Sequence, residues 1–260
     1  MSAIAVSTFY HFTILREPLT LREPLLARMQ ELGIKGTITL APEGINATIS
    51  GAKEAIEMMV NYLRTIPSFA TLKHRISYFT QLPFKRSKVK VKRELISLGA
   101  QANPSICVGK YIAPKDWNAL ITAPDVITID TRNEYEYAIG HFKNAVNPAT
   151  KSFKEMIEFT KKHLDPEKQT RVAMYCTGGI RCEKYSAYLL TQGFAEVYHL
   201  QGGILAYLEQ TPEAASLWEG HCYVFDERVA VGHGLTKSED IMMCMSCGRA
   251  LFKNQICAKC

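Results

Sequence analysis

The first eighty residues switch repeatedly between two hydrophobic periods. Ile4–Phe12 is β-branched and aromatic almost throughout, the composition of a strand. Over residues 19–32 the apolar positions Leu21, Leu25, Leu26, Met29 and Leu32 recur at helical spacing, and Gly33 supplies a stop signal. Residues 35–40 return to strand composition, Pro42-Glu43-Gly44 makes a turn, and residues 45–50 alternate like the return strand of a hairpin. Residues 53–63 form a second amphipathic stripe and residues 72–79 a further strand. The order βαββαβ over residues 1–95 predicts an α+β ferredoxin-like sandwich. Residues 83–94 read as one more strand, with Ser87, Val89 and Val91 on one side and Lys88, Lys90 and Lys92 on the other.

Residues 96–104, with the run Gly99-Ala100-Gln101-Ala102-Asn103-Pro104, read as a linker. Beyond it strands and helices alternate. Residues 106–111 are a short strand, and Pro114 opens a helix with Asp116 in its first turn. Residues 126–130, 171–175 and 197–200 are nearly continuous apolar runs, as expected of a parallel sheet covered on both faces. Helical patterns over residues 153–164 and 182–192 lie between them. Residues 105–218 therefore read as a doubly wound α/β domain, followed by a cysteine-rich segment over 219–260.

Composition narrows the class. The chain has 260 residues, 47% hydrophobic and 22% charged, which is globular. No apolar run approaches the ~20 residues a membrane helix needs, and the start lacks a basic-then-apolar leader, so a cytoplasmic protein is expected. The net charge of +6 is modest, but its distribution is not. Between residues 73 and 93 stand eight basic residues (Lys73, Arg75, Lys85, Arg86, Lys88, Lys90, Lys92 and Arg93) and no acidic one. Such a line suits a phosphate backbone; lysines that keep an edge strand from aggregating are the other reading.

Half of the eight cysteines lie in the last seventeen residues, as Cys244-x-x-Cys247 and Cys257-x-x-Cys260. Four thiolates at this spacing suit a tetrahedral zinc ion, structural because no coordination position stays open; a reduced tail without metal is the alternative.

The strongest chemical signal is Cys176-Thr177-Gly178-Gly179-Ile180-Arg181, which follows a buried strand and runs into a helix. Two glycines let the backbone curl into an anion nest, the helix start adds partial positive charge, and Arg181 adds a full one. All three favour thiolate over thiol, so Cys176 is expected to be a stabilised anion facing an accessible pocket. Cys182, six residues on, suits either a resolving thiol or a small packing residue. Tyr175, Tyr185 and Phe142 read as core residues more than as base-stacking ones.

Taken with Asp130-Thr131-Arg132 and Leu200-Gln201-Gly202-Gly203-Ile204, this loop resembles the active-site loop of a rhodanese domain. The resemblance implies that the cysteine carries sulfur as a persulfide, that the loop amides and Arg181 hold it, and that Asp130 and Arg132 form a supporting ion pair. Together with Thr39-Leu40-Ala41-Pro42-Glu43-Gly44-Ile45-Asn46 and Pro83-Phe84-Lys85-Arg86-Ser87-Lys88, nearly the whole chain resembles the bacterial tRNA uridine-34 hydroxylases. Ala47 stands where many members have glycine.

That resemblance implies an acylphosphatase-like domain before the rhodanese domain, the anticodon loop of tRNA as partner, and molecular oxygen as co-substrate. It also implies hydroxylation of the wobble uridine at carbon 5 through Cys176. The sequence carries no flavin fingerprint and no iron site of two histidines and a carboxylate. From the residues alone, a thiosulfate-type sulfurtransferase and a non-enzymatic RNA-binding or redox module remain alternatives.

Overall fold

The computed structural model describes residues 4–169, 171–246, 250–255 and 257, in two compact units divided between Leu95 and Ile96.

The first unit contains β1 (Ile4–Phe12), α1 (Arg22–Glu31), β2 (Lys35–Ala41), β3 (Gly44–Gly51), α2 (Lys53–Arg64), β4 (Arg75–Phe79) and β5 (Ser87–Val91). The sheet order β4-β1-β3-β2 is the ferredoxin-like arrangement the pattern predicts, and β5 extends it by pairing in parallel with β2. Alternation in the strands sends Phe9, Ile38, Ile45, Ile49 and Val89 into one core with Leu25 and Met29 of α1 and Ile56, Met59 and Leu63 of α2. β5 is an edge strand whose Val89 is buried while Lys88 and Lys90 are exposed. Lys85, Arg86, Lys92 and Arg93 around it are exposed as well.

The second unit continues with β6 (Lys110–Ile112), α3 (Pro114–Ile121), β7 (Val126–Asp130), the one-turn α4 (Glu134–Tyr137), β8 (Gly140–Phe142), α5 (Met156–His163), β9 (Arg171–Tyr175), α6 (Ile180–Thr191), β10 (Glu196–Leu200) and α7 (Gly203–Gln210). Its four-stranded parallel sheet has the order β6-β10-β9-β7. The apolar run in β9 has a simple cause. Val172 and Met174 pack with Tyr185 and Leu189 of α6, whereas Ala173 and Tyr175 pack on the opposite face with Ile204 and Tyr207 of α7. Both faces are covered over residues 172–175, so these four positions are apolar. The chain then forms β11 (Trp218–Gly220), β12 (Cys222–Tyr223), β13 (Ala230–Val231), β14 (Ile241–Met243) and β15 (Ala250–Phe252), all short antiparallel pieces.

Two local expectations change. The strand expected over residues 106–111 starts only at Lys110, because the Ile106 and Cys107 amides donate to the Asn103 carbonyl and roll the segment into a turn. The segment expected as a linker, 96–104, is packed: Leu98 is fully buried in the second unit, and the Ile96 carbonyl accepts from the buried Lys184 Nζ at 3.0 Å.

Candidate active site

β9 ends at Tyr175 and α6 begins at Ile180, which puts the Cys176 loop at the carboxyl edge of the parallel sheet, where open α/β folds bind ligands. One of its two glycines is conformationally required. Gly179 caps α6 at φ 105°, a left-handed value that a side chain resists. Gly178 lies outside that region, with open space where a Cβ would stand.

A glycine elsewhere ties the loop down. Gly203 opens α7 at φ 65°, and a Cβ on it would stand 2.5 Å from the Cys176 carbonyl oxygen and 2.6 Å from that of Thr177. That close approach lets the Ile204 amide donate to the Cys176 carbonyl at 3.0 Å and the Leu205 amide to the Thr177 carbonyl at 3.1 Å. The motif Gly202-Gly203-Ile204 is thus the clamp on the loop's carbonyl side, leaving the loop's amide side for the sulfur.

The Gly179 amide donates to Cys176 Sγ at 3.1 Å. Burial opposes ionisation of this thiol, but a hydrogen bond from the Cys182 thiol, the Arg181 charge and the amides of Cys182 and Gly179 outweigh it. The pKa falls from 9.0 to about 5. Cys182 moves the other way. Burial first, then the neighbouring Cys176 sulfur, hold it protonated, with its sulfur 3.5 Å from Thr131 Oγ1. The two sulfurs therefore divide into an anion and its donor. Cys176 is only 1% exposed, and Gly178 and Ile180 of its loop are half-buried, so a substrate reaches the sulfur only through this loop.

Arg181 is not a bare cation. Its Nη1 lies 2.7 Å from Glu136 Oε2 and its Nη2 2.8 Å from Oε1, and Nη2 also donates to Thr177 Oγ1 at 3.3 Å. Glu136 is fully buried. Burial raises its pKa, yet Arg181 and Arg132 together hold it below the ordinary carboxylate value. Sequence reasoning missed this residue. Its signal was the spacing Asn133-x-x-Glu136 at the start of α4, where Glu136 Oε2 accepts the Asn133 amide at 3.1 Å.

Asp130 and Arg132 are paired. Arg132 Nη2 reaches Asp130 Oδ2 at 2.6 Å and the Gly140 carbonyl at 2.6 Å, both side chains are fully buried, and the guanidinium lies 5.1 Å from the Trp218 ring. The pair joins the end of β7 to β8. Tyr175, Tyr185 and Phe142 are fully buried and belong to the core.

Residues 4–95 match the UPF0176 acylphosphatase like domain and residues 113–210 the rhodanese-like domain. A tRNA uridine(34) hydroxylase from Picosynechococcus sp. is 52% identical over 252 residues, covering 96% of this chain and 84% of its own. The chain belongs to the tRNA uridine(34) hydroxylase family. Solved structures are more distant. The rhodanese-like domain from Anabaena sp. is 18% identical, with a TM-score of 0.35, over 42% of this chain and 78% of its own. A rhodanese-related protein from Thermoplasma volcanium is 24% identical, with a TM-score of 0.32, over 39% and 93%.

For this hydroxylase-family chain, the remaining candidate residues lie elsewhere. The basic residues Lys85 to Arg93 are on the first unit, around β5. Of the four cysteines expected to hold zinc, Cys247 and Cys260 lie outside the described residues. Cys244 directly follows β14, and Cys257 lies beyond β15, its antiparallel partner. Among the described residues no group of three His, Cys, Asp or Glu side chains is placed to hold a metal, and no helix is long and apolar enough to cross a membrane.

Proposed function

We propose that the chain hydroxylates the wobble uridine of tRNA at carbon 5, with Cys176 as the catalytic residue. Membership of the family supports the reaction. The observation that carries the residue assignment is the Cys176 sulfur, held by the Gly179 amide with a pKa of about 5, and so anionic at neutral pH. A thiolate adds to carbon 6 of a uracil ring and leaves carbon 5 electron-rich, the position to be oxygenated. Dioxygen is the expected source of the oxygen atom: carbon 5 takes one atom, a two-electron reductant from outside the chain reduces the other to water, and loss of the carbon-5 proton with expulsion of the Cys176 thiolate from carbon 6 restores the ring. Cys182 keeps the leaving sulfur anionic by hydrogen bonding, and Arg181, gripped by Glu136, holds the loop's positive side in place. Because Cys176 is buried, the base must be unstacked and the loop must admit it; an anticodon loop offers an unstacked base at low cost.

The exposed cations around β5 suit the RNA backbone, which supports tRNA over a free nucleoside as substrate. Cytoplasmic residence follows from that substrate. The two Cys-x-x-Cys pairs, Cys244 with Cys247 and Cys257 with Cys260, supply four thiolates for a structural zinc, and metal analysis of the purified chain should find about one zinc per chain.

A thiosulfate-type sulfurtransferase would use the same thiolate as a persulfide carrier. Nucleoside mass spectrometry separates the two. In a strain lacking the gene, the wild-type chain should restore 5-hydroxyuridine in tRNA and Cys176→Ala should not. Restoration by Cys176→Ala would remove the catalytic assignment; thiocyanate release from cyanide and thiosulfate, with no 5-hydroxyuridine from either chain, would favour sulfur transfer.

A further inference from the structure

An aromatic cluster lies beside the Arg181 clamp and takes no part in the chemistry above. Tyr135 immediately precedes Glu136 in α4, and its ring meets that of Tyr223 edge to face at 5.4 Å. Tyr223 in turn meets Phe225 edge to face at 5.1 Å. Tyr223 is buried, so the outer two rings rest on a fixed one. Those outer rings are open to solvent: Tyr135 is 38% exposed and Phe225 62%. The line from the loop outward runs from Thr177 and Arg181 to Glu136, then to Tyr135, Tyr223 and Phe225.

Phe225 is also held in place. It lies in the turn between β12 and β13, which closes through the Val224 amide on the Val229 carbonyl and the Val229 amide on the Asp226 carbonyl. The next residue, Asp226, accepts Arg228 Nε at 2.9 Å and Arg228 Nη2 at 2.6 Å, and both side chains are buried. The Arg228 amide donates to Asp226 Oδ1 at 3.0 Å, just as the Arg132 amide donates to Asp130 Oδ1 at 2.9 Å. The fold thus uses the same Asp-x-Arg clasp twice, once under the catalytic loop and once under the turn that presents Phe225. A hydrogen-bonded turn that leaves a phenyl ring 62% exposed adds nothing to the core and suits contact with something flat and partly apolar.

We infer that Phe225 and Tyr135 form a stacking shelf for an unstacked nucleobase of the RNA, the neighbour of the uridine being modified. The inference rests on tRNA being the substrate. A base has the right chemistry because every base offers a π-face, and aromatic stacking holds it without reading its sequence. Its place is taken from the chain of contacts that joins the rings to the loop: Tyr135 adjoins Glu136, whose carboxylate holds Arg181. The uridine itself is not the occupant, since it has to reach the sulfur.

The test uses the full chain and a hairpin RNA carrying one loop uridine, with 2-aminopurine placed on its 5′ side in one RNA and its 3′ side in another. Binding should quench the fluorescence of one of them. Phe225→Ala should abolish that quenching and weaken binding roughly tenfold, whereas Phe225→Trp should keep both. The rate of Cys176 alkylation should be the same in all three, since the shelf does not touch the sulfur. Unchanged quenching and affinity in Phe225→Ala would overturn the inference, as would absence of quenching by the wild-type chain. A wild-type dimer that dissociates on Phe225→Ala while quenching persists would assign the patch to self-association instead. Formation of 5-hydroxyuridine is scored separately, so quenching lost in Phe225→Ala without hydroxylation by the wild-type chain would keep the shelf and overturn the functional reading.

Discussion

A buried cysteine ordinarily loses its charge, since removing it from water raises its pKa. Cys176 is nearly fully buried and moves the opposite way because four groups converge on one sulfur. Among them Cys182 is the side chain whose removal changes least else: it is small and buried, and alanine nearly fills its place. Cys182→Ala should therefore leave the fold intact but move the Cys176 alkylation inflection upward from about 5 toward the ordinary 9.0. Cys182→Ser, which keeps a donor, should move it less. A profile that does not change in Cys182→Ala would remove the donor role. Glu136 has a different part. It accepts two hydrogen bonds from Arg181 in a buried setting, and breaking such a pair from one side costs ~3–5 kcal/mol because the remaining charge is stranded. Glu136→Ala should lower stability in urea unfolding by that amount; a loss under ~1 kcal/mol would mean that Arg181 finds water instead.

At the scale of elements, strand–turn–helix junctions position everything. The α6 start supplies amides to the sulfur, and the α7 start holds the loop's carbonyls. Gly203→Ala places a methyl group within 2.6 Å of two carbonyl oxygens at a left-handed φ, so either the loop or α7 must shift. We expect a destabilisation of at least ~2 kcal/mol and a raised Cys176 inflection; Gly178→Ala, with open space around it, should do neither. Thermal melts with alkylation profiles of the two variants decide this. In the first unit, β5 is the basic edge. Replacing Lys88, Lys90 and Lys92 by Ala should reduce the slope of log affinity for tRNA against log salt by about 2–3. An unchanged slope would leave these lysines as protection of the sheet edge.

Across the whole molecule, much of the architecture could be read in advance because it depends on local regularities. Period-two and period-3.6 patterns marked the strands and helices of both units, and the spacing from Cys176 to Arg181 marked the loop. What could not be read depends on contacts distant in sequence. Glu136 meets Arg181 across forty-five residues, and the only local trace is a helix-capping spacing shared by many surface turns. Gly203 looks like an ordinary helix start until the Cys176 carbonyl is placed against it. Leu98 sits in a stretch of small and polar residues that reads as a linker, and its burial depends on the core it meets. The shelf at Phe225 was hidden for the same reason, since Tyr135 and Tyr223 lie far apart along the chain.

Catalysis by Cys176 requires that its sulfur be an anion at neutral pH inside the folded chain. The most direct measurement is the rate of iodoacetamide capture at Cys176, resolved by peptide mass spectrometry in the full-length protein from pH 4 to pH 10. Restricted access of the reagent scales the rate at every pH without changing where the inflection falls, so the shape of the curve is what counts. The structure predicts an inflection near 5 and a flat rate from pH 6.5 to 8.5. A rate that still climbs through this range, with its inflection near 9, would contradict it.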